Sequence, residues 1–365
     1  MKIGLITFHK ANNIGAVLQA TALLRAIRSA GEDCEIIDFR PNNSVTRHGF
    51  VWDVLRKIKM GLLYSRKKQT NQRQKRFDTF CKKHYALSPK TYWGDGGLEK
   101  NPPTYDLLIS GSDQIFNTTL SGTSRSYYLA FASDTPKVSY ASSFGREKIT
   151  PAEEALVREE LPKFRHISVR EKSAGKIIED LTGKKAEQVL DPVFLLDKSA
   201  WETHCNRKMS IPHEHYIFVY SMENSENLER LAKRLQEETA LPVIVVRGGG
   251  QAGRIFGTED ASCGPAEFLR YIKDADYVVT NSFHGLAFSL LFEKKFFCVA
   301  HTTRNARLEN LMDMVGVKDK VVANEDFCND LQNFLCHGDG LREKLSVALD
   351  TTRQYLDKII CLEEA

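Results

Sequence analysis

Short apolar runs alternate with segments of helical periodicity along most of the chain. Residues 3–8 and 34–39 are both apolar. Between these runs, the apolar positions that follow Gly15 recur at helical spacing: Val17, Ala20, Leu24 and Ile27. A strand, a helix and a second strand in this order predict a βαβ unit with two parallel strands.

The same alternation continues and then restarts. Further strands are predicted at 105–110, 137–142, 166–170 and 187–190, before Asp191-Pro192 breaks the pattern. A second series has predicted strands at 216–220, 242–246, 277–279 and 296–300. The pattern predicts an α/β fold in which two Rossmann-like domains face a ligand cleft.

The predicted domains follow from where the pattern changes. We expect a first domain over 1–200, which includes a basic helical insert at about 47–88, and a second domain over 201–340. A single amphipathic helix at 341–365 is predicted to pack back on the first domain.

Length and composition agree with a two-domain globular protein. The chain has 365 residues, more than one compact core usually holds, with 42% hydrophobic and 27% charged residues. No apolar run approaches the roughly 20 residues that span a bilayer, and 1–8 is too short and too quickly polar for a signal peptide. We therefore expect a cytoplasmic protein.

The cysteines do not predict a metal or disulfide site. There are eight, without any CxxC pair, and the loose cluster of Cys328, Cys336 and His337 lacks a fourth ligand. We expect reduced thiols and no bound metal.

Charge is modest overall but uneven along the chain. The formal net charge of +4 is too small to predict a nucleic-acid partner. Between Arg47 and Lys83, however, twelve Lys and Arg face two acids, and apolar positions at 51–62 follow helical spacing. This segment is consistent with an anionic membrane surface or acceptor and equally with a solvated basic face.

The segment around His284 carries the strongest chemical signal. Asn281, Ser282, His284 and Gly285 lie between an apolar strand at 277–279 and a helix, where free backbone N–H groups favour an anion. A histidine satisfied within a tight turn is the alternative interpretation.

The first loop offers a second polar site. Asn13 and Gly15 stand before the first helix, but their surroundings do not match the GxGxxG fingerprint, so no nicotinamide cofactor is predicted. Side-chain amide and backbone N–H groups here can bind a polar ligand. Asn13 is equally consistent with a simple helix cap.

Two further strand ends supply charged candidates. Ser112 and Asp113 follow an apolar strand, where a carboxylate can orient or deprotonate a sugar hydroxyl; an Asx turn is the alternative. Arg170 ends the strand at 166–170, and its planar guanidinium suits a phosphate or carboxylate. A surface salt bridge to Glu171 or Glu179 is the rival interpretation.

Taken together, these motifs resemble the polysaccharide pyruvyl transferase family over residues 1–300. The motifs that carry the resemblance are Asn13-Ile-Gly15, Gly111-Ser-Asp-Gln114, Tyr140-Ala-Ser-Ser-Phe-Gly145, Ser168-Val-Arg170-Glu171, Asp191-Pro192 and Ser282-Phe-His284-Gly285. The resemblance implies a fold similar to the GT-B glycosyltransferases and transfer of pyruvate from phosphoenolpyruvate onto a sugar. It also implies that Arg170 and His284 bind or act on the donor.

The chain departs from the family pattern at one position. Family members often carry Arg-Leu-His-Gly where this chain has Ser282-Phe283-His284-Gly285, so a cationic contact is missing. Arg247, Arg304 and Arg307 follow strands of the second domain and are the candidates to replace it.

The function that we predict is formation of a pyruvate ketal on a sugar of a surface or capsular polysaccharide precursor. His284 serves as general acid or phosphate contact, Arg170 holds the donor and Asp113 acts on the acceptor, with no cofactor beyond the donor. The other expected substrate contacts are Asn13, Gly15, Ser112, Asn281, Ser282 and Gly285. A lipid-linked acceptor at the inner membrane face would explain the basic insert.

Two other functions stay open from the sequence. A GT-B glycosyltransferase that uses a nucleotide sugar would have the same cleft. A non-catalytic module that binds a glycan or metabolite would also fit.

Overall fold

The computed structural model describes residues 1–41, 64–122, 124–248, 256–301, 305–323 and 330–362. Two mostly parallel β-sheets, each flanked by helices, form two domains within these residues. The expected α/β class with two Rossmann-like domains is confirmed. The part of the predicted basic insert at 47–63, and also Arg304 and Cys328, lie outside the described residues.

The first domain is built on a sheet with the strand order β3-β2-β1-β4-β5-β6-β7, and all its pairings are parallel. Its strands are β1 Lys2–Ile6, β2 Asp33–Arg40, β3 Leu87–Trp93, β4 Leu107–Asp113, β5 Lys137–Ser142, β6 Ser168–Val169 and β7 Glu187–Gln188. Its α-helices are Ile14–Ser29, Tyr64–His84, Gly94–Lys100, Thr118–Ser121, Pro151–Glu160 and Lys172–Thr182.

The second domain repeats the pattern in the order β10-β9-β8-β11-β12-β13, with β13 antiparallel to β12. Its strands are β8 Ile217–Ser221, β9 Val243–Arg247, β10 Thr258–Glu259, β11 Tyr277–Thr280, β12 Lys295–Cys298 and β13 Cys336–His337. The α-helices from the linker onward are Lys198–Glu202, Glu226–Thr239, Pro265–Asp274, Phe283–Leu291, Asn305–Met314, Leu331–Phe334, Gly338–Arg342 and Ser346–Ile360.

The order of the strands in each sheet determines where the cleft lies. The chain reverses direction across the sheet between β1 and β4 in the first domain and between β8 and β11 in the second. At such a point, the loops that follow two adjacent parallel strands turn to opposite faces of the sheet. A crevice therefore lies between these loops, at the carboxyl ends of the strands. The residues that follow these four strands are therefore the ones that meet between the domains.

An apolar core shared by the two domains holds them together. The helix Ile14–Ser29 packs against the helix Pro265–Asp274, and the largest buried cluster continues through both. Phe77 and Phe80 of the helix Tyr64–His84 belong to the same cluster. The interface is thus a packed apolar surface, the kind that resists domain separation.

The helix Tyr64–His84 contacts the second domain through one of its basic residues. Nη1 of Arg76 donates to Ser262 Oγ at 2.9 Å, and Asp260 and Glu267 also lie within ion-pair distance of its guanidinium. At least this basic residue of the predicted insert is therefore directed at the second domain. Within the described residues, every helix is too short or too polar to span a bilayer.

The amphipathic segment near the end of the sequence is divided where one helix was predicted. The helices Gly338–Arg342 and Ser346–Ile360 flank a 3-10 turn, Glu343–Leu345. The longer helix packs on the first sheet through a cluster that includes Tyr355 and Ile359.

Strand β3 was missed by the sequence pattern because it lies at the sheet edge. It carries Pro89 and is only partly buried, so it lacks the continuous apolar run that marks a strand buried on both faces. Its last residue, Trp93, pairs in register with Arg40 at the end of β2.

The packing of the helix Ser346–Ile360 leads to a prediction about stability. Tyr355 is buried, and its hydroxyl donates to the carbonyl of Ser139 at 2.7 Å. We expect Tyr355→Phe to lower the free energy of unfolding by about 1 kcal/mol and Tyr355→Ala by about 3–5 kcal/mol, since the latter also leaves a cavity. Urea unfolding followed by circular dichroism measures both. Exposed Arg353 on the same helix gives the control Arg353→Ala, and an equal effect of Tyr355→Ala and this control would contradict the packing.

Candidate functional site

A cavity of about 670 Å³ lies where the two switch points face each other. His9 and Asn13 follow β1, and Asp113 ends β4. From the second domain, Met222 follows β8, and a run of four residues follows β11: Asn281, Ser282, Phe283 and His284. The cleft that the sequence predicts is therefore present and is lined from both sheets.

His284 lies in the first turn of the helix Phe283–Leu291. Ser282 caps this helix, since its hydroxyl accepts from the backbone N–H of Gly285 at 3.3 Å. His284 is 7% exposed and lines the cavity, and its Nε2 lies 3.6 Å from Oδ2 of Asp191. A titratable ring is thus held at a helix amino end with a carboxylate behind it.

Gly15 brings the first domain into contact with this ring. A Cβ at Gly15 would collide with the imidazole of His284. Only glycine leaves the space that the ring occupies, so this position joins the two domains at the cavity. Gly285 allows a similar approach to Thr280 beneath the helix, since a Cβ there would collide with the threonine hydroxyl.

Asp191 is the buried centre of the site. Its side chain is inaccessible to solvent, with Oδ2 2.8 Å from Nη2 of Arg170 and Oδ1 accepting from the N–H of Val193. Burial alone would raise the pKa of this carboxyl. The positive charge of Arg170 and the neighbouring imidazole of His284 outweigh burial and lower the pKa to about 2. The site therefore keeps a buried anion beside His284.

Arg170 lies beneath the cavity. Arg170 is 4% exposed, and its guanidinium donates to Ser112 Oγ at 2.8 Å and stands 3.8 Å from Asp113. It also lies 5.0 Å from the ring centroid of Phe283, within the range of cation–π attraction. Arg170 pairs with aspartates, in place of the alternative salt bridge to Glu171 or Glu179, and it is not among the residues that line the cavity.

Asp113 lines the cavity and has an unusual backbone conformation. It has a φ of +76°, which non-glycine residues rarely adopt, and its side chain lines the cavity. Such a conformation costs on the order of 1–3 kcal/mol and persists where the surroundings enforce it. The strain is consistent with a carboxylate fixed in place for a function.

Of the remaining predicted residues, some line the cavity and others support residues of the site from behind. Asn13 and Asn281 line the cavity, but both are also structural: Asn13 caps the helix Ile14–Ser29, and Asn281 accepts from the N–H of Met222 at 2.7 Å. Ser112 is fully buried, and it supports Arg170 without lining the cavity.

In the part of the chain that the structure describes, the cationic side chains Lys10, Arg40 and Arg307 line the cavity. Of the two candidates for the missing family arginine that lie in the described residues, Arg307 lines the cavity, with its guanidinium 5.8 Å from the ring centroid of Phe283. Arg247 instead contacts Asn224 and Glu259 away from the lining.

Two further histidine–carboxylate pairs lie at the cavity and were missed. His9 has Nε2 2.9 Å from Asp38, and His301 has Nδ1 3.4 Å from Glu223. Burial would raise the pKa of Asp38, but hydrogen bonds from His9, Arg40 and Thr91 hold it well below its usual range. The signal that was missed is an acidic residue inside strand β2, together with a histidine three residues after the end of β1 or β12.

Among the described residues, no group of three or more His, Cys, Asp or Glu side chains is arranged to hold a metal ion. Cys336 and His337 do not form such a group with any residue described.

The fold and the cleft define a GT-B-like protein. The structure is similar to the S. aureus MnaA–UDP co-structure, with a TM-score of 0.53 at 12% identity, covering 98% of this chain and 95% of that one. It is also similar to Anabaena Alr3699/HepE in complex with UDP and glucose, with a TM-score of 0.51 at 10% identity and 99% coverage of both chains. At these identities the likeness concerns the fold.

The family is given by the sequence match. Residues 13–303 match polysaccharide pyruvyl transferase, so the chain belongs to this family. No curated protein matches the chain closely enough to add a relative. The matched range includes the cavity residues from Asn13 to His301.

The buried Asp191 anion makes a pH prediction. Its pKa of about 2 lies below the ordinary 3.8. The ionised carboxylate therefore stabilises the folded state fully above pH 4, and this stabilisation is lost as the pH falls towards 2. We expect Asp191→Asn to lower the free energy of unfolding by about 3–5 kcal/mol at pH 7, because Arg170 loses its buried partner. The difference in the free energy of unfolding between Asp191→Asn and wild type should become smaller as the pH falls from 4 to 2.

Urea unfolding at pH 7, 5, 4 and 3 measures this difference. Asp350→Asn is the control, because Asp350 is an exposed partner of Arg353 on the surface. A difference that stays constant from pH 5 to pH 3 would contradict an ionised Asp191 with a lowered pKa.

Proposed function

We propose that the protein transfers pyruvate from phosphoenolpyruvate to two hydroxyls of a sugar, forming a ketal for a surface or capsular polysaccharide. The observation that carries the proposal is His284, backed by the buried anion of Asp191 and placed in a cavity with three cationic side chains. Family membership supports the transferase class.

The cavity suits a small molecule with two anionic groups. The amino ends of two helices, Ile14–Ser29 and Phe283–Leu291, both border it, and helix amino ends favour anions. Lys10 and Arg307 add positive charge from both domains. In this proposal they hold the phosphate and carboxylate of the donor, and Arg307 takes the place of the family arginine.

The proposed chemistry begins with proton transfer to the methylene carbon of phosphoenolpyruvate. Positive charge then develops at the neighbouring carbon, and one sugar hydroxyl attacks it and loses its proton. The C–O bond to phosphate breaks, and the second hydroxyl closes the ketal and loses its proton. One of the two hydroxyl protons balances the proton gained by carbon, and the other leaves with phosphate.

The side chains divide this work in the proposal. His284 donates the proton to carbon or to the departing phosphate, and Asp191 stabilises the imidazolium form of the ring. Asp113, fixed at the cavity wall, accepts a proton from the acceptor hydroxyl. Arg170 acts from below by holding Asp191 and Asp113; its direct contact with the donor stays a prediction.

The reaction as proposed needs no organic cofactor or metal, because the donor carries its own leaving group and the developing charge is held by protein groups. The partners proposed are phosphoenolpyruvate and a sugar acceptor, which we propose is lipid-linked and used at the inner face of the cytoplasmic membrane. Liposome flotation of the wild type against a variant with reversed charge in the basic insert tests that location.

The role of His284 makes an activity prediction. We expect His284→Gln to slow turnover by about 10²- to 10⁴-fold, the usual effect of removing a general acid, while the fold is retained. The assay is phosphate release from phosphoenolpyruvate with galactosyl, glucosyl and N-acetylmannosaminyl acceptors. Product is identified by the mass gain of a pyruvate ketal.

His215→Gln is the matched control, because His215 is an exposed histidine paired with Asp276 on the surface. Equal activity of the two variants would remove His284 from the mechanism. Both solved structures named above contain UDP, so UDP is included in a thermal-shift arm. Protection by UDP without any ketal product would favour a nucleotide-sugar glycosyltransferase.

A further inference from the structure

Trp93 is exposed where a tryptophan side chain would normally be covered. It is 67% exposed and lines the rim of the cavity. Another large exposed hydrophobic residue, Leu120, lines the same cavity. Exposed apolar surface that continues into a binding cavity marks contact with a ligand more often than chance.

The ring of Trp93 is held in position from one side. Trp93 ends β3 and pairs in register with Arg40, whose guanidinium lies 6.0 Å from the ring centroid. Arg40 is fixed in turn by two hydrogen bonds to Asp38, at 2.8 and 3.2 Å. A flat apolar surface with an ordered polar edge is therefore built before any ligand binds.

Further residues that line the cavity are suited to a ligand that is apolar on one face and polar at its edge. Phe39 and Tyr127 form an edge-to-face pair 5.4 Å apart in the cavity wall. Gln114 also lines the cavity, and a side-chain amide there can pair with hydroxyl groups of a ligand.

A pyranose ring has this chemistry. Its axial C–H groups form an apolar face that stacks on an aromatic ring, and its hydroxyls lie around the edge. The groups proposed above for the donor are Lys10, Arg307 and the two helix amino ends, so the aromatic residues are left for the acceptor.

We propose that Trp93 is the stacking platform for a pyranose of the acceptor glycan. Arg40 positions the indole, and Gln114 binds hydroxyls of the sugar. This inference rests on the proposed function, because it assigns the sugar to the acceptor side of that reaction.

The test uses binding and turnover of defined sugars. Methyl β-galactoside, methyl β-glucoside and methyl N-acetylmannosaminide are titrated by calorimetry against wild type, Trp93→Ala and Trp93→Phe. We expect Trp93→Ala to weaken binding of the responding sugar and to raise its KM roughly 10-fold, while the KM of phosphoenolpyruvate changes little. Trp93→Phe should keep most of the affinity because it keeps an aromatic face.

Val347→Ala is the control, since Val347 is 75% exposed on the helix Ser346–Ile360, away from the cavity lining. Sugar binding that depends on Trp93, without ketal formation, would support the subsite and reject the pyruvyl transfer. Ketal formation with an acceptor KM equal in Trp93→Ala and Val347→Ala would reject the subsite and keep the reaction. Loss of UDP binding alone in Trp93→Ala, or no sugar binding by wild type, would also overturn the subsite.

Discussion

The buried carboxylate of Asp191 is the interaction on which the rest of the site depends. It follows the last strand of the first sheet, with the guanidinium of Arg170 from the same domain 2.8 Å away and the imidazole of His284 from the other domain 3.6 Å away. An anion without access to water is stable only with such partners, so neither neighbour can be removed without cost. The carboxylate therefore links the position of a ring in the second domain to the end of the first sheet.

The close fit of the two domains gives this link its precision. Gly15 leaves the space in which the imidazole lies, and the apolar core behind it joins helices of both domains. Ring, carboxylate and guanidinium are thus arranged before any substrate arrives. Preorganised charge of this kind stabilises a transition state more effectively than groups that must reorient during the reaction.

The sequence predicted most of the architecture because buried parallel strands are apolar along their whole length. It located His284 and Asp113 because strand ends at a switch point define a cleft. It missed Trp93, which ends an edge strand without an apolar run, and Asp38, whose partner His9 is distant in sequence. Strand position also did not show that Arg170 would lie beneath the cavity, because depth depends on packing against Asp113 and Phe283.

A double-mutant cycle on ketal formation tests most directly whether Asp191 acts through His284. Rates are compared for wild type, Asp191→Asn, His284→Gln and the double variant, at a temperature where all four are folded. The account predicts that the double variant is no slower than His284→Gln, because the carboxylate has no ring left to stabilise. If the rate losses of the two single variants multiply in the double variant, the two residues contribute independently. That result would contradict the account.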